Sequence, residues 1–225
     1  MQGISIGVAM NRKAIFSKQR VMAISITIIL IGVISGSYLV LGVKTITALE
    51  GKIIADDVIN NSVPKFVCVS INNHRELDKN GKSESWEYRY AYNDSELKGI
   101  LLIVHANKEV ENSGIFNATI STFAYYDNIS PFINWTMDSP HALKITFENN
   151  VIDMFINKYS SVKYDMGLGV RDSIDNCEGE FVQLIGQPSL IWTVSALYEG
   201  AMEDIHYAKI CIDANTGAVL LADSD

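Results

Sequence analysis

Residues Val21–Val43, VMAISITIILIGVISGSYLVLGV, form a run of 23 positions without one charged side chain. At about 1.5 Å rise per residue, a helix of that length reaches across a hydrocarbon core of about 30 Å. A core-facing helix of a globular domain would carry a polar stripe, and here only scattered Ser and Thr break the run. Arg12, Lys13, Lys18 and Arg20 precede it with no acid among them, whereas Glu50, Asp56 and Asp57 follow Lys44. The positive-inside rule therefore predicts a cytoplasmic basic segment 1–20, a transmembrane helix 21–43 and an extracytoplasmic remainder in the cell membrane. A cleaved signal peptide is the alternative, with Ser35 and Ser37 as small residues near a cleavage site, but its apolar core is usually about 7–15 residues. Gly32 and Gly36 make a small-xxx-small pair through which two such helices could form a homodimer.

With 48% apolar and 20% charged residues in 225, the chain can bury a core. Its formal charge is -8, and beyond residue 43 it carries 14 bases against 26 acids. Such a field repels phosphate backbones and excludes a nucleic-acid partner. N-x-S/T triplets at Asn60, Asn93, Asn117, Asn128 and Asn134 all lie beyond the apolar run and are candidate glycosylation sites, that at Asn128 weakened by Pro131. Cys68, Cys177 and Cys211 are too scattered for a disulfide scaffold or a zinc ribbon. Two readings are open: a single Cys177–Cys211 bridge, or three buried thiols.

The exterior divides near Asp138. In 44–137, Ile46, Leu49, Ile53, Ala55 and Val58 recur at helical spacing up to Asn60-Asn61. KFVCVSI, SESWEYRYAY and GILLIVHA then read as strands, with turn chemistry at Asp78-Lys79-Asn80-Gly81. In 138–225, Ser139 as N-cap and Pro140 open a helix of about four turns reaching Ile156. A polar, Gly-containing loop is expected over Met166–Gly179, followed by strands at FVQLIG, SLIWTVSALY, HYAKICID and AVLLA. Both halves run helix, strand, Trp-bearing strand, strand ending at Ala-Asn, which suggests a duplication. The fold class expected is α+β: an N-terminal transmembrane helix and two units, each a helix packed on an antiparallel sheet.

Ile191-Trp192-Thr193-Val194, followed by His206–Val219 with its closing D-A-N-T-G-A-V, resembles the end of a PepSY domain. Asp138-Ser139-Pro140-His141-Ala142-Leu143-Lys144-Ile145 is similar to the helix entry of that family, and D-K-N-G-K-S-E-S-W-E-Y in the first half is a looser counterpart. The resemblance implies small extracytoplasmic α+β modules that bind or restrain partners and do not catalyse.

Chemistry-bearing motifs are sparse. His74, His105, His141 and His206 sit in no nucleophile frame and form no i, i+4 metal pair. Glu76, Asp78, Asn80 and Glu87, with Gly81 at the sixth position, imitate a calcium loop, although a Glu stands first and a strand pattern follows. A solvated hairpin turn is the plainer reading. Trp86, Tyr88, Tyr90 and Tyr92 share one face of a strand, either packed under a helix or exposed as a platform for peptide or glycan, with Phe123, Tyr125 and Tyr126 further on. The expectation is a membrane-anchored, non-catalytic binding or regulatory module that uses no cofactor and meets another envelope protein or a peptide. A hydrolase or peptidase-inhibitor-like propeptide remnant, and a passive envelope assembly component, are the alternatives.

Overall fold

The computed structural model describes residues 44–93, 96–118, 132, 135–184, 188–200 and 205–225. The chain divides into Met1–Val43 and Lys44–Asp225, and only the second is described. Helix α1 (Ala48–Ser62) precedes β1 (Val67–Asn73), β2 (Ser85–Asn93), β3 (Leu97–His105), β4 (Val110–Asn112) and β5 (Phe116–Asn117). Helices α2 (Ser139–Phe147) and α3 (Asn150–Lys158) precede β6 (Val162–Arg171), β7 (Ser173–Asp175), β8 (Phe181–Gln183), β9 (Ser189–Glu199), β10 (Ile205–Asp213) and β11 (Val219–Ser224).

Nine strands form one sheet in the order β11-β10-β9-β6-β1-β2-β3-β4, with β5 also on β3, while β7 and β8 pair as a separate hairpin. The expected pair of helix-on-sheet units is thereby overturned. The strands of both halves hydrogen-bond into a single sheet across β1 and β6, through Ser70↔Gly169, Ile71↔Leu168 and Asn72↔Gly167. The transmembrane and signal-anchor expectation is also corrected: among the described residues no helix is long and apolar enough to cross a membrane. Segments 1–20 and 21–43, with Gly32 and Gly36, lie outside the described residues.

The same hydrogen bonds recur on either side of the seam. The Trp86 indole donates to the Ile46 carbonyl at 2.9 Å and that of Trp192 to the Met137 carbonyl at 2.8 Å, each acceptor standing two residues before its helix. Ala106 N–H donates to Glu84 and Ala214 N–H to Leu190, both at 2.8 Å and both two residues ahead of the Trp. The Trp rings meet edge to face at 6.4 Å, inside a core cluster that draws on both halves.

The helix starts are shared too. Thr47 caps α1 in a capping box with Glu50. Asp138, rather than Ser139, is the N-cap of α2, accepting from Ser139 N–H at 2.7 Å. It also accepts from Leu49 N–H at 3.0 Å, while Ser139 Oγ accepts from Ala48 N–H at 3.1 Å. Residues of one half thus satisfy open amide donors in the first turn of the other half's helix. The expected four-turn helix breaks after Phe147, because Asn149 takes an extended backbone and caps α3.

Ala48, Gly51, Ala55 and Ile59 form the buried stripe of α1, and the small size of the first three lets that end of the helix approach the sheet closely. Tyr88 donates to the Ala48 carbonyl at 2.8 Å, and a Cβ on Gly51 would stand 2.1 Å from the Tyr88 hydroxyl. Trp86, Tyr88 and Tyr90 are therefore core residues under α1, and no exposed platform forms from them. Phe123, Tyr125 and Tyr126 lie outside the described residues.

Candidate functional site

With the helices on one face of the sheet, side chains alternate to the other along β6. Tyr164, Met166, Leu168 and Val170 join the helix-side core. Asp165, Gly167, Gly169 and Arg171 consequently face away from it. Register sets their neighbours: Gly167 lies between Asn72 of β1 and Thr193 of β9, and Asp165 lies beside Ser195. Asn72, Asn73, Asp165, Met166, Gly167, Arg171, Thr193 and Ser195 together line a trough of about 390 Å³ at the seam.

Local chemistry holds this trough open. Backbone pairing of β1 with β6 stops at Asn72↔Gly167. One residue further, the Asn73 side chain substitutes for the ladder: its Oδ1 accepts from Met166 N–H at 2.5 Å and its Nδ2 donates to the Arg75 carbonyl at 2.9 Å. Asn72 Nδ2 donates to Ser70 Oγ at 3.1 Å, which fixes the amide over Gly167. A Cβ on Gly167 would stand 2.6 Å from Asn72 Oδ1, so glycine is what leaves room for that amide.

Beside the trough the β7–β8 hairpin lies on the same face. Ile174 packs with Ile191 and Cys211. Lys209 reaches Asp175 at 2.8 Å, Cys177 N–H donates to Asp223 at 2.9 Å, and the Tyr207 hydroxyl donates to the Cys177 carbonyl. Burial works against ionisation of Asp175, yet the hydrogen bond and charge of Lys209 outweigh it and hold the carboxyl below its ordinary value.

The cysteine bridge does not form, and Cys68, Cys177 and Cys211 are all buried free thiols. Cys177 Sγ lies by the Tyr207 carbonyl, four residues along β10 from Cys211. At about 3.3 Å per residue that separation is roughly 13 Å, beyond the 7 Å or so that a disulfide tolerates between Cα atoms. Burial pushes the Cys68 thiol up to about 12 and that of Cys177, with help from the Asp223 carboxylate, up to about 11. Neither supplies a thiolate near neutral pH.

Nor do the calcium-loop residues converge. Asp78 spends Oδ1 on the Asn80 and Lys82 amides and Oδ2 on the Thr45 hydroxyl, Glu76 is exposed, and Glu87 pairs with Arg89 in β2. Among the described residues no group of three His, Cys, Asp or Glu side chains is placed to hold a metal. His74 and His141 are exposed, His105 meets Glu111 at 2.8 Å, and His206 meets Asp225 at 3.3 Å while stacking on Tyr159. Asn60 and Asn117 are exposed. The side chains of Asn93, Asn128 and Asn134 lie outside the described residues.

No residue of the trough was singled out as a site by the sequence. The signal that could have found it is the alternation D-x-G-x-G-x-R over Asp165–Arg171, two glycines between opposite charges on one strand face.

Compared with known proteins, the chain matches no family model and no curated protein. The PepSY likeness of 138–225 accordingly stands on those residues alone. Among solved structures, a putative lipoprotein from Clostridium difficile 630 matches with a TM-score of 0.42 and 13% identity, covering 76% of this chain and 90% of that one.

Proposed function

We propose that this chain is an extracytoplasmic, non-catalytic binding module of PepSY-like character, with the trough at the β1–β6 seam as its recognition surface. The observation that carries the reading is the trough itself. Uncharged donors and acceptors from three strands converge there with one carboxylate and one guanidinium, on the sheet face opposite the helices. Concave sites with a few fixed polar groups are the usual form of a recognition site. Exposed Asn60 and Asn117 in N-x-S/T triplets suit an extracytoplasmic setting. Glu111 beside His105 and Asp225 beside His206 give each imidazole a carboxylate neighbour, an arrangement that serves structure as readily as chemistry.

A photo-crosslinking residue placed at Ser195 or at Asn72 in living cells tests this reading. Each is expected to give the same discrete adduct, lost when Arg171→Glu is added, whereas the same residue at exposed Glu178 on the hairpin gives none. Adducts at Glu178 and none from the trough would contradict it.

A further inference from the structure

A second cavity, of about 420 Å³, opens where the Asp78–Lys82 turn meets helix α2, lined by Lys79, Asn80, Pro140, Lys144, Phe147 and Glu148. Phe147 packs edge to face on Tyr164 at 5.3 Å, and Tyr164 belongs to the helix-side core. The cavity therefore lies on the opposite side of the sheet from the trough. Its walls are fixed to each other. Asp78 Oδ1 accepts from the Asn80 and Lys82 amides at 2.8 and 3.0 Å, Gly81 N–H donates to the Asp78 carbonyl at 3.0 Å, and Gly81 leaves no room for a Cβ against Pro140.

The polar groups of this cavity are not spent inside the fold. Among the described residues, the Lys79 ammonium and the Asn80 side-chain amide have no hydrogen-bond or ion-pair partner. Lys144 has Glu148 at 3.8 Å, beyond hydrogen-bond distance, with the two side chains 71% and 66% exposed. Such a pair is weak and leaves the ammonium open to a second anion. Two cations and one acid thus border an apolar wall of Pro140 and Phe147. Beyond residue 43 acids outnumber bases 26 to 14, so a cavity in which cations prevail runs against the charge of the chain.

We propose that this cavity binds the C-terminal residue of a peptide whose last side chain is apolar. The side chain lies on Phe147 and Pro140, and the terminal carboxylate meets the Lys79 and Lys144 ammoniums. Asn80 takes the preceding peptide group, since a primary amide both donates and accepts. Glu148 repels the carboxylate and so directs it toward Lys79. The volume is near the small end of the roughly 300–1,000 Å³ usual for small-ligand sites, which suits a chain end and not a long segment. This site is separate from the trough and stands whether or not the trough is a recognition surface.

The test is a nuclear magnetic resonance titration of the full chain, following the backbone amides of Lys79, Asn80 and Phe147. Acetyl-Ala-Phe with a free carboxylate is expected to bind roughly tenfold more tightly than its C-terminal amide and than acetyl-Ala-Ser. Lys79→Gln should remove most of the preference for acid over amide and leave the melting temperature unchanged, because that ammonium holds nothing in the fold. Glu148→Gln should tighten the acid by about two- to threefold, since it removes a repelling charge and releases Lys144. 3-Phenylpropanoate, with the ring and the carboxylate but no peptide group, should bind more weakly than acetyl-Ala-Phe, and Asn80→Ala should close that gap. Equal binding of acid and amide would overturn the proposal, as would an acid preference that Lys79→Gln does not reduce. 3-Phenylpropanoate binding as tightly as acetyl-Ala-Phe would overturn the peptide terminus as the ligand.

Discussion

Trp192→Ala is expected to lower the melting temperature of the full chain by roughly 10 °C. The side chain is 0% exposed and touches Trp86 of the other half at 6.4 Å and Trp135 at 6.1 Å. Removing a buried Trp typically costs about 3–5 kcal/mol, the lost transfer energy plus the cavity left behind. For a unit of this size each kcal/mol moves the midpoint by about 2–4 °C. The change also strips an indole donor from the Met137 carbonyl immediately before α2. Because Trp86 packs on the same ring, both halves should melt in one transition, displaced together. Calorimetry that finds the parent melting temperature would place Trp192 outside the core. Two separated transitions would show that the halves do not share one.

A second large effect is expected at a turn that joins the halves. Gly81 has φ +72° and lies against the start of α2, where a Cβ would stand 2.8 Å from both Pro140 Cα and the Ser139 carbonyl oxygen. Those are backbone atoms, which cannot swing aside as a side chain can. Gly81→Ala therefore combines a left-handed backbone penalty of about 1–2 kcal/mol with an overpacking cost of about 1–3 kcal/mol. Gly114 is the internal control, since its φ is also +72° but nothing lies within 4 Å of a Cβ there. Gly114→Ala should cost the backbone penalty alone. Denaturant titration of the two variants gives the difference directly, and equal losses would mean that the first-half turn does not press on the second-half helix.

How far the sequence is legible depends on whether a feature is local. The alternating Trp86, Tyr88 and Tyr90 lie in β2 under α1, and Asp213–Gly217 forms the turn before β11, because strand alternation and turn chemistry are written in neighbouring residues. By contrast Met166–Gly179, read as a loop, contains most of β6, which pairs with β9 over ten positions and joins the two halves. Gly167, Gly169, Asp165 and Arg171 disguise it, since glycine and charge in a short run ordinarily signal a turn. They are tolerated here because every one of them faces away from the helix-side core. FVQLIG errs in the other direction: its apolar residues suggest a strand of the main sheet, but Phe181–Gln183 pairs with β7 in the outlying hairpin. The trough draws on β1, which lies some 95 residues before β6 and 120 before β9, so the local pattern Asp165–Arg171 could mark one strand of it but not the partners that complete it.

The trough exists because β1 and β6 pair, and the cross-strand contacts of that seam are what should be measured. In the nuclear Overhauser spectrum of the full chain, backbone protons of Ile71 should show cross-peaks to those of Leu168, and Ser70 to Gly169, as an antiparallel pair requires. Their absence, with the β6–β9 contacts intact and the two halves tumbling at different rates, would mean separate units and no trough between them.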